Sequence, residues 1–275
     1  MNMRRTFHVL TACAVVASLA EVGFAQQAQK PFEPQVGQPG KDVVWVPTPD
    51  ALVEKMLDMA QVTPQDVVMD LGSGDGRNVI AAARRGARAI GVEFNPQMVE
   101  LSRQNAAKAG VADRATFVEG DMYEADVSKA TVLALFLLST NLEKLTPKFL
   151  DMKPGSRIVD NTFAIPGWSP DAWETIIEDC TTWCTSLLWI VPAKVHGAWQ
   201  STDGDVTFEQ EFQVVKGTHS SGGRVTPFQN GRLRGDQLVF STGDVFYEGR
   251  VLGDTIEGTR KTSSSETRWT ATRIR

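Results

Sequence analysis

Cysteine is scarce in this chain, three in 275 residues, too few for the disulfide framework that holds small secreted domains together. None is needed, because a chain of this length hides roughly 75% of its unfolded surface on folding. Histidine is as sparse, three residues with no cluster at metal-ligand spacing, so metal catalysis has little support and no metal is expected. Base is not in excess either. A formal charge of -5 and a pI near 5.3 argue against a nucleic-acid partner. What is present, 42% hydrophobic, 8% aromatic and 22% charged residues, excludes disordered, collagen-like and coiled-coil classes and leaves a globular chain of one or two domains.

Arg4 and Arg5 precede an apolar run over residues 6–20, followed by Gly23, Phe24 and Ala25. That order reads as a signal peptide over residues 1–25, cleaved after Ala25. The run is too short to prefer a membrane-spanning helix, so no stable span is expected after cleavage. Export, to the periplasm, places the mature chain where disulfides persist. Cys13 leaves with the signal, and only Cys180 and Cys184 remain, in Cys-Thr-Thr-Trp-Cys. The apolar residues on both sides predict a tight hairpin with cysteines at its mouth and a bond across it; two unpaired buried thiols are the alternative.

Residues 26–44 are rich in Pro, Gly and Gln and read as a flexible lead-in. Over residues 45–194 the pattern alternates. Leu52, Val53, Met56, Leu57 and Ala60 share a helical face, and 66–71 is a nearly continuous apolar run ending in a glycine loop. A helix (78–85), a strand (89–93), a helix (97–109), a strand (115–119), a strand (131–138), a helix ending at Leu150 and a strand from Arg157 follow. Such alternation predicts an α/β fold, a doubly wound Rossmann-like sheet completed by the cysteine hairpin. Over 195–275 the texture becomes that of a small antiparallel β-domain. Val206, Phe208, Phe212 and Val214 share a face by period two, and Gly-Asp pairs recur at 204, 235, 243 and 253. Residues 231–238 and 249–256 repeat a strand, Gly-Asp turn, strand unit, for which plain turn chemistry suffices.

The stretch Asp70-Leu71-Gly72-Ser73-Gly74-Asp75-Gly76-Arg77 runs from a buried strand into a helix with glycine at every second place. Backbone must approach something closely there. A dinucleotide-binding loop would want its third glycine three positions after the second, where this chain has Arg77; Gly76 comes one earlier. The Gly-x-Gly-x-Gly form with an acid at its head resembles motif I of the class I S-adenosylmethionine-dependent methyltransferases. Together with Val92-Glu93-Phe94-Asn95-Pro96 it looks like the branch that holds protein-lysine methyltransferases, including those acting on the c-type subunit of ATP synthase. The resemblance covers about residues 45–191 and implies S-adenosyl-L-methionine as cofactor. It implies that Asp70, Gly72, Ser73, Gly74 and Gly76 border the methionine moiety, and that Glu93, near Asn95, accepts from the ribose hydroxyls. Asp121 would accept from the adenine amino group while Met122 covers the ring, and Thr48 in Val46-Pro47-Thr48-Pro49 would close over the methyl end.

Methyl transfer asks for positioning and for removal of the acceptor's proton, and for no protein nucleophile. Ligand crevices in such sheets open at the carboxyl ends of strands, which points to Ser139, Thr140 and Asn141. Helix capping is the plainer role for the first two, and Asn141 is the candidate catalytic residue. Trp168, Trp173, Trp183, Trp189 and Trp199 gather near the expected domain junction, for packing or as an aromatic acceptor pocket. The expected function is methylation of an amine such as a protein lysine, the acceptor itself being unknown. A non-catalytic cofactor sensor and an envelope interaction protein working through the β-domain are the alternatives.

Overall fold

Both faces of the first sheet are apolar because helices cover both. The computed structural model describes Met1 and residues 32–274. The signal peptide expected at 1–25, its cleavage point and the lead-in as far as residue 31 lie, Met1 apart, outside the described residues. Helix α1 (Asp50–Met59), β1 (Val67–Leu71), α2 (Arg77–Arg84), β2 (Arg88–Glu93), α3 (Pro96–Lys108), β3 (Ala115–Glu119), β4 (Val132–Leu135), α4 (Ser139–Leu150) and β5 (Arg157–Asn161) alternate as the apolar periods predict. Then β6 (Ala172–Thr175) and β7 (Thr185–Ile190) form an antiparallel hairpin, giving seven strands in the order β3-β2-β1-β4-β5-β7-β6.

Strand residues alternate between two cores. Val68, Ala89, Ala115, Val132 and Val159 pack with α1, α2 and α3 on one face. Met69, Leu71, Leu133, Leu135 and Ile158 pack with Leu142, Leu145 and Phe149 of α4 on the other. This is the doubly wound α/β arrangement, with β1 to β5 parallel.

Two local differences from the sequence reading bear on the site. Strand β4 stops at Leu135, not at residue 138, because its ladder with β5 ends at Leu135 and Asp160, and the next inward N–H, that of Leu137, donates to the Asp160 side chain at 3.2 Å. Phe136 and Leu138 are thereby released into a loop. The cysteine hairpin is also wider than a tight turn: Thr175 pairs Thr185, and residues 176–184 loop out beyond them. Cys180 and Cys184 are bonded, with Cα atoms 5.8 Å apart, inside that loop and not across the strands.

The C-terminal strands β8 (Gly197–Ser201), β9 (Gly204–Glu211), β10 (Val214–Ser221), β11 (Arg224–Pro227), β12 (Gln229–Arg234), β13 (Gln237–Thr242), β14 (Val245–Leu252), β15 (Thr255–Lys261) and β16 (Glu266–Arg273) are antiparallel. Strand β9 pairs with both β8 and β10, which closes the sheet into a barrel; β11 and β12 share the far edge of β10. The barrel is filled by Trp199, Phe208, Phe240, Tyr247, Ile256 and Trp269 among others. The Gly-Asp turns at 235 and 253 link β12 to β13 and β14 to β15, each glycine at positive φ. The expected period-two face breaks once: Val214 is exposed and Val215 is buried, because Phe212 turns at φ 51 and shifts the phase by one residue.

From Glu33 onward both sheets belong to one compact unit. Phe212 leaves the barrel to stack on Trp168 at 5.2 Å, Gln213 donates to the Ser169 carbonyl at 2.7 Å, and Arg232 pairs with Asp171 at 2.8 Å. No helix among the described residues is long and apolar enough to cross a membrane.

Candidate active site

Strands β1 and β4 are neighbours although β2 and β3 intervene in the chain, so the loops leaving their carboxyl ends part and open a crevice. The loop after β1 turns at Gly72, Gly74 and Gly76 with φ of 78°, 53° and 85°, backbone that L side chains resist. Space forbids side chains there as well. A Cβ on Gly74 would stand 2.7 Å from the Trp45 indole nitrogen, and one on Gly76 2.7 Å from the Phe117 ring. The N–H groups of Gly72 and Ser73 both donate to the Val92 carbonyl, at 2.8 and 3.1 Å, which fixes the loop against β2.

The loop borders a cleft that is partly open to solvent. Thr48, Asp70, Gly72, Ser73, Gly74, Glu93, Asn95, Asp121 and Met122 line it. Gly76 and Asn141 are not among its lining residues. Gly76 lies one step behind, as the N-cap of α2. Asn141 is buried in the first turn of α4 and donates to the Tyr123 hydroxyl at 2.8 Å. Ser139 and Thr140 do not cap that helix: its N-cap is Leu138, with no side-chain bond.

Acidic groups dominate the walls. Burial pushes the Asp70 carboxyl up to about 8; the charges of Glu93 and Asp75 add to this, and the Asn78 amide opposes it by donating to Asp70 at 3.1 Å. Glu93 spans two loops, one oxygen accepting from Gly74 N–H and the other from Asn95 N–H, both at 2.9 Å. Each oxygen keeps a free lone pair. Asn95 caps α3 by accepting from Gln97 N–H at 2.9 Å. Asp121 accepts from Tyr123 N–H at 2.9 Å and is paired with Lys41, whose ammonium holds its carboxyl below the usual range. Among polar atoms near the cleft, Ser73 Oγ and Asn78 Oδ1 are buried with no protein partner.

Several working residues escaped the sequence reading. Residues 38–44 of the expected flexible lead-in continue into the segment 46–48 expected to close over the methyl end, and 38–48 together form a strap along the cleft. Gly37 N–H donates to Trp45 O, Trp45 N–H to Gln38 O, and Pro39 bridges Val44. Arg77 pins the strap to the glycine loop, since its guanidinium donates to the Thr48 carbonyl and to Asp75, each at 2.6 Å. Lys41 lies 5.1 Å from the centre of the Phe94 ring as well as on Asp121. An arginine next to the last loop glycine was the available signal. Phe136, freed by the early end of β4, also lines the cleft.

The profile of the ANTKMT methyltransferase domain matches residues 70–172. The protein-lysine N-methyltransferase of Saccharolobus islandicus is 44% identical over 131 residues, which are 46% of this chain and 81% of that one. The chain belongs to the S-adenosylmethionine-dependent methyltransferases of this branch. The methyltransferase is also 35% identical to the ATP synthase C-subunit lysine N-methyltransferase of Mus musculus over 46% of its own length, and it spans about half, 51%, of that relative. A solved RNA methyltransferase of Salinibacter ruber in complex with S-adenosyl-L-homocysteine superposes with a TM-score of 0.51 at 44% identity, covering 55% of this chain and 96% of that one. The enzyme's cofactor is therefore S-adenosyl-L-methionine, and the residues present fit it. Gly72 and Gly74 present bare backbone to the cleft wall, and the nearby Ser73 and Asn78 oxygens are buried without a protein partner. Asp70 and Glu93 line the cleft without an ion-pair partner among the described residues, which suits a ligand that carries a sulfonium and an ammonium.

Proposed function

We propose that the enzyme methylates an amine nitrogen of the kind a protein lysine presents, and that it does so in the periplasm. The observation that carries the acceptor is the 44% identity across most of a protein-lysine N-methyltransferase. The name of the Salinibacter relative points to RNA instead, but a chain of net charge -5 is poorly suited to a phosphate backbone. Support for export comes from the N-terminal Arg-Arg and apolar run, and from the Cys180–Cys184 bond, which an oxidising compartment preserves.

Bound S-adenosylmethionine supplies an electrophilic methyl group on sulfur. The chain's own part is to place and enclose. Glu93 accepts from the ribose hydroxyls through its free lone pairs, Asp121 and Met122 hold the adenine, and Asp70 with Ser73 takes the methionine end. Thr48 and Trp45, held by Arg77, keep water from the reacting centre. The acceptor ammonium must first lose a proton to solvent; the freed nitrogen lone pair would then form the bond to the methyl carbon as the S–C bond breaks and its electron pair stays on sulfur. Asn141 faces Tyr123 and so serves as a positioning residue.

The test incubates the chain from Gln26 onward with methyl-labelled S-adenosylmethionine, a lysine-containing protein extract and ribosomal RNA, followed by mass spectrometry. Methylated lysine is the expected product. Label confined to RNA, or to no amine, would sink the reading.

A further inference from the structure

Beyond β4 the cleft borders a cluster of aromatic rings. Phe136, just past β4, lines the cleft; its ring stacks with Phe163 at 6.0 Å and meets Trp183 at 5.9 Å, tilted by 60°. Three loops contribute one ring each: those after β4, after β5 and between β6 and β7. Packing does not account for all three. Trp168, Trp189 and Trp199 are fully buried, whereas Trp183 is 41% exposed. It stays at the rim at φ 53, inside the short ring closed by the Cys180–Cys184 bond.

The segment that carries Phe163 and Trp183 has one sign of charge. Between Arg157 and Lys194 the sequence has no Lys, Arg or His and has five acids. Asp160 is buried, Asp171 pairs with Arg232 and Glu174 with Lys55. Glu178 and Asp179 stand exposed on the Trp183 loop with no ion-pair partner among the described residues.

We propose that Phe136, Phe163 and Trp183 are the acceptor subsite, taking the alkyl stem and ammonium head of a lysine-type side chain, and that Glu178 and Asp179 attract the basic segment carrying it. A cation within about 6 Å of a ring centre is drawn to the ring face, most strongly for tryptophan, and the apolar stem lies along the remaining ring surface. Because Phe136 belongs to both the cleft and the aromatic cluster, a side chain held there would reach into the cleft that takes the cofactor. The assignment rests on the amine reading above.

The test measures binding of a pentalysine peptide, and of an otherwise equal norleucine peptide, to the full chain saturated with S-adenosylhomocysteine. The variants are Trp183→Ala and Trp183→Phe; calorimetry with S-adenosylhomocysteine alone checks that the cofactor site is intact. Expected are a loss of about tenfold for Trp183→Ala, near recovery in Trp183→Phe, and little binding of the norleucine peptide. Equal pentalysine binding by Trp183→Ala and the unaltered chain overturns the subsite, as does no saturable binding by the unaltered chain. The two readings fail separately. Lysine methylation undiminished in Trp183→Ala removes the subsite and keeps the amine chemistry. Pentalysine binding that depends on Trp183, without amine methylation, keeps the subsite and removes the chemistry.

Discussion

Asp70 sits 3% exposed at the foot of the cleft, where its charge has little water to solvate it. With its carboxyl pushed up to about 8, mainly by burial, it is mostly protonated at neutral pH until a cation arrives. Cationic ligand binding must therefore release a proton, and affinity should rise as pH increases toward 8. Calorimetry of S-adenosylmethionine at pH 6, 7 and 8 should show the Kd falling along that series, and Asp70→Asn should flatten it. Gly74→Ala, which would press a methyl group on the Trp45 indole at positive φ, should weaken binding at least tenfold with the fold retained by circular dichroism. In the barrel, Asp203 accepts from Tyr247 and Trp269 at 2.8 and 2.9 Å and lies 3.3 Å from His219. These contacts outweigh burial and hold its carboxyl far below the ordinary value. Its stabilising effect is complete above about pH 4, the ordinary carboxylate range, and is lost as pH falls below that. Tyr247, pushed up to about 12 by burial and then by Asp203, contributes below pH 10, and that contribution fades between 10 and 12. Acid and alkaline melts of Asp203→Asn should show both arms reduced. At this scale the glycines, Glu93 and Asp121 were readable because they sit at strand ends and at fixed spacing. Trp45, Lys41 and Arg77 were not, because they reach the cleft through contacts between segments that no local period encodes.

Among elements, the strap and the loop after β1 work as one part, joined by Arg77. Replacing Arg77 by Ala removes the charge-assisted hydrogen bonds to Thr48 and Asp75, whose worth is reduced by partial exposure to solvent. Cofactor Kd is expected to rise about tenfold while the melting temperature moves little, since Arg77 is partly solvated and pins a surface segment. A fall in melting temperature with unchanged affinity would show that the strap serves stability alone. Strand and helix positions in the first sheet follow the periods within about two residues, because burial on both faces imposes them. Strand β4 ends early where Asp160 replaces a ladder partner, and β10 changes phase where Phe212 turns; both depend on one side chain or one dihedral, which a pattern averages away.

The whole molecule joins two cores through Trp168 and Phe212. Trp168→Ala should cost roughly 3–5 kcal/mol, as buried aromatic truncations do, and should lower the unfolding midpoints of both parts in guanidinium if they unfold together. That the C-terminal strands are antiparallel was legible from the Gly-Asp turns; that they close was not, because closure is a matter of register between distant strands. Closure has a consequence in time. Most barrel ladders, from β12 to β16 and from β8 to β10, are hairpins that zip between neighbours in the chain, but the ladder of β16 on β8 joins Ala271 to Ser201 and Arg273 to Trp199, about seventy residues apart. The entropy of closing so long a loop must be met before any rung of that ladder forms. Refolding followed by tryptophan fluorescence should thus show a slow final phase that reports Trp199 and Trp269. Until it is over, the unpaired edges of β8 and β16 are open to other chains.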